Sequence, residues 1–192
     1  MGRPVDLARR DVMLGRAADY VLANGLAGLS LRPMAEALGT SPRMLLYDFA
    51  SKEKLISSIL TEIRAREASL LSNHLAGVSR TAPELLHYAW AWISAPEQES
   101  FLRLFFQVYV DAISRPGAYG GAATAMVSDW LEIVSAIIGG PNPKVTATLF
   151  VAVVRGLLLD GLATGERART NEAMESFIGL FGSPVIRTTR PN

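Results

Sequence analysis

Between residues 30 and 52, hydroxyl and cationic side chains recur at spacings suited to holding a polyanion. Ser30, Thr40 and Ser41 can each donate a hydroxyl, and Arg32 and Lys52 each carry a full positive charge. Arg43 supplies the planar fork that matches a phosphate or a guanine edge. Tyr47 follows Arg43 by four residues, about one helical turn, so phenol and guanidinium would share a face. Lys52 stands where a helix is expected to begin. A cation there opposes the helix dipole, which argues for an external anion. The plainer reading is that the serines cap helices, Tyr47 packs inward and the arginines are solvated. Arg3, Arg9 and Arg10 precede this stretch and suit a basic arm reaching into a minor groove.

Other groupings carry less. Glu84-Leu-Leu-His87 has the Glu-x-x-His spacing of a di-metal carboxylate bundle, but such a bundle needs the motif twice with two further carboxylates. His74 has no partner of that kind, and no metal or cofactor is expected. The chain has no cysteine and neither histidine lies in a nucleophile motif, so an enzyme is not expected. Aromatic surface concentrates in the middle of the chain, where most of it should be core; together such side chains can also line an apolar pocket. Trp90, Phe105, Tyr109 and Trp130, with Arg155 in an otherwise apolar helix, are the residues expected to meet a small ligand. Arg155 and Asp111 have the alternative of pairing with each other or with Asp160.

The elements that must position these groups are helical, and no alternating strand pattern is found. Leu14, Ala17, Ala18, Val21 and Leu22 follow the i, i+3, i+4, i+7 pattern, and Asn24-Gly25 supplies the stop. Ser30 is expected to cap a short second helix ending at Gly39, and Ser41 a third from Pro42 to about Phe49, with Pro42 at the first position. Ser51 should cap a long fourth helix reaching about Leu75. Breaks at 77–83, 95–96, 116–121, 139–143, 165 and 182–184 leave five more helices, near 84–94, 97–114, 122–138, 144–164 and 167–181. The architecture is all-α: a three-helix front module over 1–50 and a helical bundle over 51–192. Helices 144–164 and 167–181 place Leu149, Val153, Leu157, Met174, Phe177, Ile178 and Phe181 on more than one face, which calls for a second buried side.

Composition agrees. Of 192 residues 49% are hydrophobic and 19% charged, which excludes intrinsic disorder and leaves little charge to cover a monomer. Net charge is +1, with residues 1–52 slightly basic and the rest slightly acidic, so DNA binding would rest on placement rather than bulk charge. The start lacks a secretory signal, and no uncharged apolar run reaches the roughly 18–20 residues of a bilayer span. Val145–Val154 comes nearest and is closed off by Lys144 and Arg155. A soluble, cytoplasmic protein with no membrane partner is expected.

Residues 30–49 thus read as cap, helix, glycine turn, cap, helix. This is the order of a helix-turn-helix, whose second helix enters the major groove N-terminus first. Here the sequence resembles the tetracycline-repressor (TetR) family of bacterial transcriptional regulators. The match runs from Arg10 to Leu55, through Met13, Ala17, Gly25, Ser30, Met34-Ala35, Gly39, Tyr47, Phe49 and Ser51-Lys52-Glu53. The resemblance implies a homodimer, usually a repressor, that binds a palindromic double-stranded operator and is released by a small effector, expected to be apolar or aromatic. It implies DNA contacts from Ser30, Arg32, Thr40, Ser41, Arg43, Tyr47 and Lys52, and dimer pairing through the last two helices. Leu46 stands where the family often has Tyr, and Asp48 where it often has His. A carboxylate facing a polyanion would weaken binding unless it accepts from a base amine or a nearby cation. The competing class is a helical small-molecule-binding protein or enzyme without DNA function.

Overall fold

A computed structural model describes residues 7–76 and 81–182. Among them are nine α-helices: α1 (Leu7–Asn24), α2 (Leu31–Ala37), α3 (Pro42–Phe49), α4 (Lys52–Leu75), α5 (Ala82–Ile93), α6 (Glu99–Ser114), α7 (Ala122–Ile138), α8 (Pro143–Thr164) and α9 (Arg167–Gly182). Short 3-10 turns at Pro96–Gln98 and Ala118–Gly121 lead into α6 and α7. The all-α expectation holds, and the helix order matches. Arg3, the expected breaks at 77–80 and 183–184 and the side chain of Phe181 lie outside the described residues.

The chain forms two compact units, the first made of residues up to Ser69 together with Ser100–Met126. Its helix boundaries follow local chemistry. Gly25 takes φ +72° and its N–H returns to the Val21 carbonyl at 2.8 Å, ending α1. Gly39 takes φ +69° between α2 and α3, a conformation costly for any residue with a Cβ. Ser41 Oγ accepts from Met44 N at 3.2 Å and Ser51 Oγ from Lys54 N at 3.1 Å, so both act as caps. Ser30 does not: it holds the N-cap position with extended backbone, but its side chain makes no cap bond. Ala17, Ala18, Val21, Met34, Ala35 and Leu45 close the core of the small helices, and Leu55, Ile59, Leu60 and Ile63 extend it along α4. Arg66 of α4 donates to Asp19 of α1 and to Glu62, both at 2.7 Å, tying the two long helices together.

The second unit comprises Leu70–Glu99 and the chain from Val127 onward. Here α9 lies against both α5 and α8. Thr170, Met174 and Ile178, four residues apart, turn inward. Trp90 Nε1 donates to Asn171 at 3.0 Å, Arg167 pairs with Glu99 at 2.7 Å, and the Phe150 and Phe177 rings are 5.8 Å apart. Tyr119–Ile138 and Pro143–Thr164 have the length and mean hydropathy of a membrane span. Neither is uncharged, since Asp129 and Glu132 interrupt one and Lys144, Arg155 and Asp160 the other.

Candidate nucleic-acid interface

The packing of α2 on α3 decides which side chains are left outside. Met34 and Ala35 of α2 and Leu45 and Phe49 of α3 are buried, which turns the opposite face of α3 outward. Arg43, Leu46 and Tyr47, spaced i, i+3, i+4, form that face with Met44; Tyr47 is 49% exposed. Ser30 and Arg32 are exposed at the start of α2, Ser41 is exposed at the start of α3, and Thr40 is half-buried beside it. Six of the seven expected DNA contacts therefore gather at the N-terminal ends and outer face of two packed helices. Met44 and Leu46 were not expected as contacts. Their exposed apolar atoms are of the kind that meets a thymine methyl group, and the spacing from Arg43 was the available signal.

Lys52, the seventh, is half-buried and its Nζ donates to the Leu29 carbonyl at the end of the α1–α2 turn. It therefore fastens that turn to α4 with one N–H and has two to spare. Junction strain sits just before it. Ala50 has φ +67° and ψ −38°, and Ser51 N donates to Phe49 O at 2.8 Å, a tight i→i+2 turn rare for a residue with a Cβ.

Asp48 does not face outward. Its carboxylate is buried and accepts two bonds from Arg9 Nη2, at 2.6 and 2.8 Å. Arg10 Nε donates to the Asp48 carbonyl at 3.1 Å, and the Arg10 guanidinium lies 4.8 Å over the Phe49 ring. Of the two alternatives read from sequence, the carboxylate takes the nearby cation as its partner, and the pair clamps α3 to α1. The flexible-arm expectation is corrected for Arg9 and Arg10, which are helical and engaged.

The residues expected to meet an effector are divided between the units. In the first, Phe105 is buried in an aromatic cluster, 5.1 Å from the half-buried Tyr109 ring. In the second, Trp90 is buried and hydrogen-bonded, while Trp130 and Arg155 are half-buried. Asp111 pairs with Arg115 at 3.1 Å and Asp160 with Arg169 at 2.8 Å. Glu84 accepts from the Thr81 N–H and hydroxyl, and His87 meets Glu175 at 3.0 Å. Glu67 was missed. It follows Ile63 and precedes Leu71 by one turn each on the inward stripe of α4, and burial pushes its carboxyl up to about 7.

No protein-family model and no curated protein sequence matches the chain. Solved structures do. A TetR-family regulator from Cytophaga hutchinsonii superposes with TM-score 0.78 at 19% identity, covering 95% of this chain and 97% of its own. A TetR regulator from Legionella pneumophila gives 0.72 at 21% identity, over 94% and 98%. A structure described as a transcriptional regulator from Saccharomonospora viridis, in complex with choline, gives 0.72 at 19% identity over 92% and 96%. The fold is that of the TetR-family transcriptional regulators, along nearly the whole chain.

Proposed function

We propose that this protein is a DNA-binding transcriptional regulator, a repressor that holds a palindromic operator as a homodimer and releases it when a small effector binds. The observation that carries this reading is the outward array of Arg32, Thr40, Ser41, Arg43 and Tyr47, set on two short helices whose other faces are buried together. A helix-turn-helix docks through these positions, the second helix entering the major groove by its first turn. The front helices over 1–50 carry DNA recognition, and the chain over 51–192 carries effector binding and pairing. Trp90, Phe105, Tyr109, Trp130 and Arg155 remain the proposed effector contacts, and Glu67 adds a polar group beside an apolar core. Its function is regulatory rather than enzymatic, and it acts in the cytoplasm, where the operator lies.

Pairing rests on a second observation. The outer face of α8 presents Val145, Leu149, Ala152, Gly156, Leu159 and Ala163, all exposed and spaced four, three, four, three and four apart. This is the seam of a helix that packs against another helix.

Selection from random duplexes tests the reading. Recovered sites should be inverted repeats, with log affinity falling linearly in log salt. Arg43→Ala should cost about 1–3 kcal/mol and relax one base pair per half-site, whereas Lys52→Gln, which can still donate to Leu29, should lower the salt slope by about one per half-site. A carrier or enzyme without DNA function would retain no genomic fragment in a salt-dependent way.

A further inference from the structure

Within the first unit an open groove of about 950 Å³ is lined by none of the residues assigned to the effector. One side is the α1–α2 turn and the first turns of α4; the other is the end of α6 and the Gly117–Gly120 turn. Its floor is apolar, formed by Leu26, Leu29 and Ile56, all nearly buried. Its polar wall carries three cations, Lys52, Lys54 and Arg115, and two acids, Glu53 and Asp111. Both acids stay ionised, and each has partners within the protein. The backbone N–H of Glu53 and the Ser51 hydroxyl hold the Glu53 carboxyl below its usual range. Asp111 accepts from the Tyr119 hydroxyl and from Arg115 at 3.1 Å. Two of the cations are less committed: Lys52, which acts on Glu53, gives one of three N–H groups to Leu29, and Lys54 is exposed. Arg115 already serves Asp111 and the Tyr119 hydroxyl through Nη2 and brings only its other N–H groups. The turn that closes the groove is held in place at a cost. Tyr119 takes φ +58°, unusual for a side chain of that size, and a Cβ at Gly120 would come within 3.3 Å of Ser57 Oγ.

Uncommitted positive charge above an apolar floor selects a ligand with an anionic head and a short hydrocarbon body. We propose that this groove binds a small organic carboxylate, its head between Lys52, Lys54 and Arg115 and its body on Leu26, Leu29 and Ile56. On the regulatory reading above, such a ligand draws Lys52 away from the DNA backbone and so weakens the operator complex. The binding itself does not depend on that reading.

The test uses hexanoate, with hexanamide as its neutral twin, titrated into the full chain while backbone amide shifts are followed by NMR. Gly28, Gly117 and Gly120 line the groove and report on it directly; Gly156 and Gly179 lie in the other unit. Hexanoate should shift the first three saturably and hexanamide should not. Lys54→Ala and Arg115→Gln, both surface changes, should each weaken hexanoate roughly tenfold. Ala27→Trp, which fills the lip, should abolish the shifts while wild-type stability is kept. Equal response to hexanamide, shifts confined to Gly156 and Gly179, or undiminished binding by the charge variants would overturn the proposal. Operator binding without hexanoate is measured separately, so loss of DNA function and loss of the groove site remain distinguishable.

Discussion

Asp48→Asn would keep the shape of the side chain and delete its charge, and the asymmetry of the ion pair sets the cost. The Asp48 side chain is 1% exposed and that of Arg9 is 39%, so the guanidinium can recover water while the amide inherits a buried place. A loss of about 2 kcal/mol is expected, below the roughly 3–5 kcal/mol of a pair buried on both sides, read as a lower urea midpoint with unchanged slope. Asp48→His should likewise weaken operator binding, by loosening α3 from α1; a rise in affinity would mean that the carboxylate does meet the DNA backbone. Glu67 gives a pH prediction. Burial raises its carboxyl from an ordinary 4.5 to about 7, so the folded chain prefers the protonated form. The stabilisation is full below about 4.5 and is lost as pH rises through 7. Because the group is only partly buried, the loss is taken as on the order of 1–2 kcal/mol rather than the full value of the shift. Glu67→Gln should remove this dependence, leaving wild type and variant similar at pH 5 and the variant more stable at pH 8. Parallel pH curves would show that Glu67 is solvated.

Elements of this fold begin and end on signals a few residues long, and for that reason their order was legible. Ser41 with Pro42, Ser51, Asn24-Gly25 and Gly39 each act through backbone groups within four residues, so the chain announces its helices locally. What joins the helices was not legible. Arg9 and Asp48 are 39 residues apart and Gln107 and Leu26 are 81 apart, distances over which no periodicity carries information. For Asp48 a cationic partner could be entertained but not named: its neighbours in sequence faced the proposed DNA, while Arg9 lay on another helix. Ser30 failed as a cap for a different reason, its carbonyl alone serving α2 through Met34 N at 3.5 Å. The link from α6 to the front helices is testable. Gln107 Oε1 accepts from the Leu26 N–H at 3.0 Å and comes within 3.3 Å of where a Cβ on Gly25 would stand. Gln107→Leu leaves that buried N–H without an acceptor, a cost of about 1–3 kcal/mol, and should loosen the α1–α2 turn. Operator affinity should fall although Gln107 is not among the DNA contacts, and Gln107→Glu, which keeps an acceptor, should restore most of it. If the leucine variant binds and melts like wild type, the turn is held by Leu26 packing alone.

At the scale of the whole molecule, the low charge content calls for a covered surface, and the apolar side chains left exposed for it differ in part from those that periodicity selected. Met174 and Ile178 are fully buried within one chain, and Leu157 and Phe177 are half-buried, Phe177 against Phe150. They are core or its margin. The side chains left outside are Val145, Leu149 and Leu159 on α8, 64%, 61% and 52% exposed, with Leu180 of α9 at 55%. Periodicity showed that both helices needed a second buried side, but it could not say which stripe faced inward until α9 was seen against α8. Charge introduced into the core would unfold the chain and report nothing about assembly, whereas charge on the outer stripe leaves each protomer's own packing intact. Leu149→Glu combined with Leu159→Glu should therefore give a folded monomer, with wild-type helicity by circular dichroism and half the mass by light scattering. Two recognition helices would no longer be presented together, so affinity for a full inverted repeat should drop by roughly 10²-fold or more, while binding to a single half-site stays near its wild-type weakness. A double variant that remains dimeric would move the interface off α8 and leave its exposed seam for another partner.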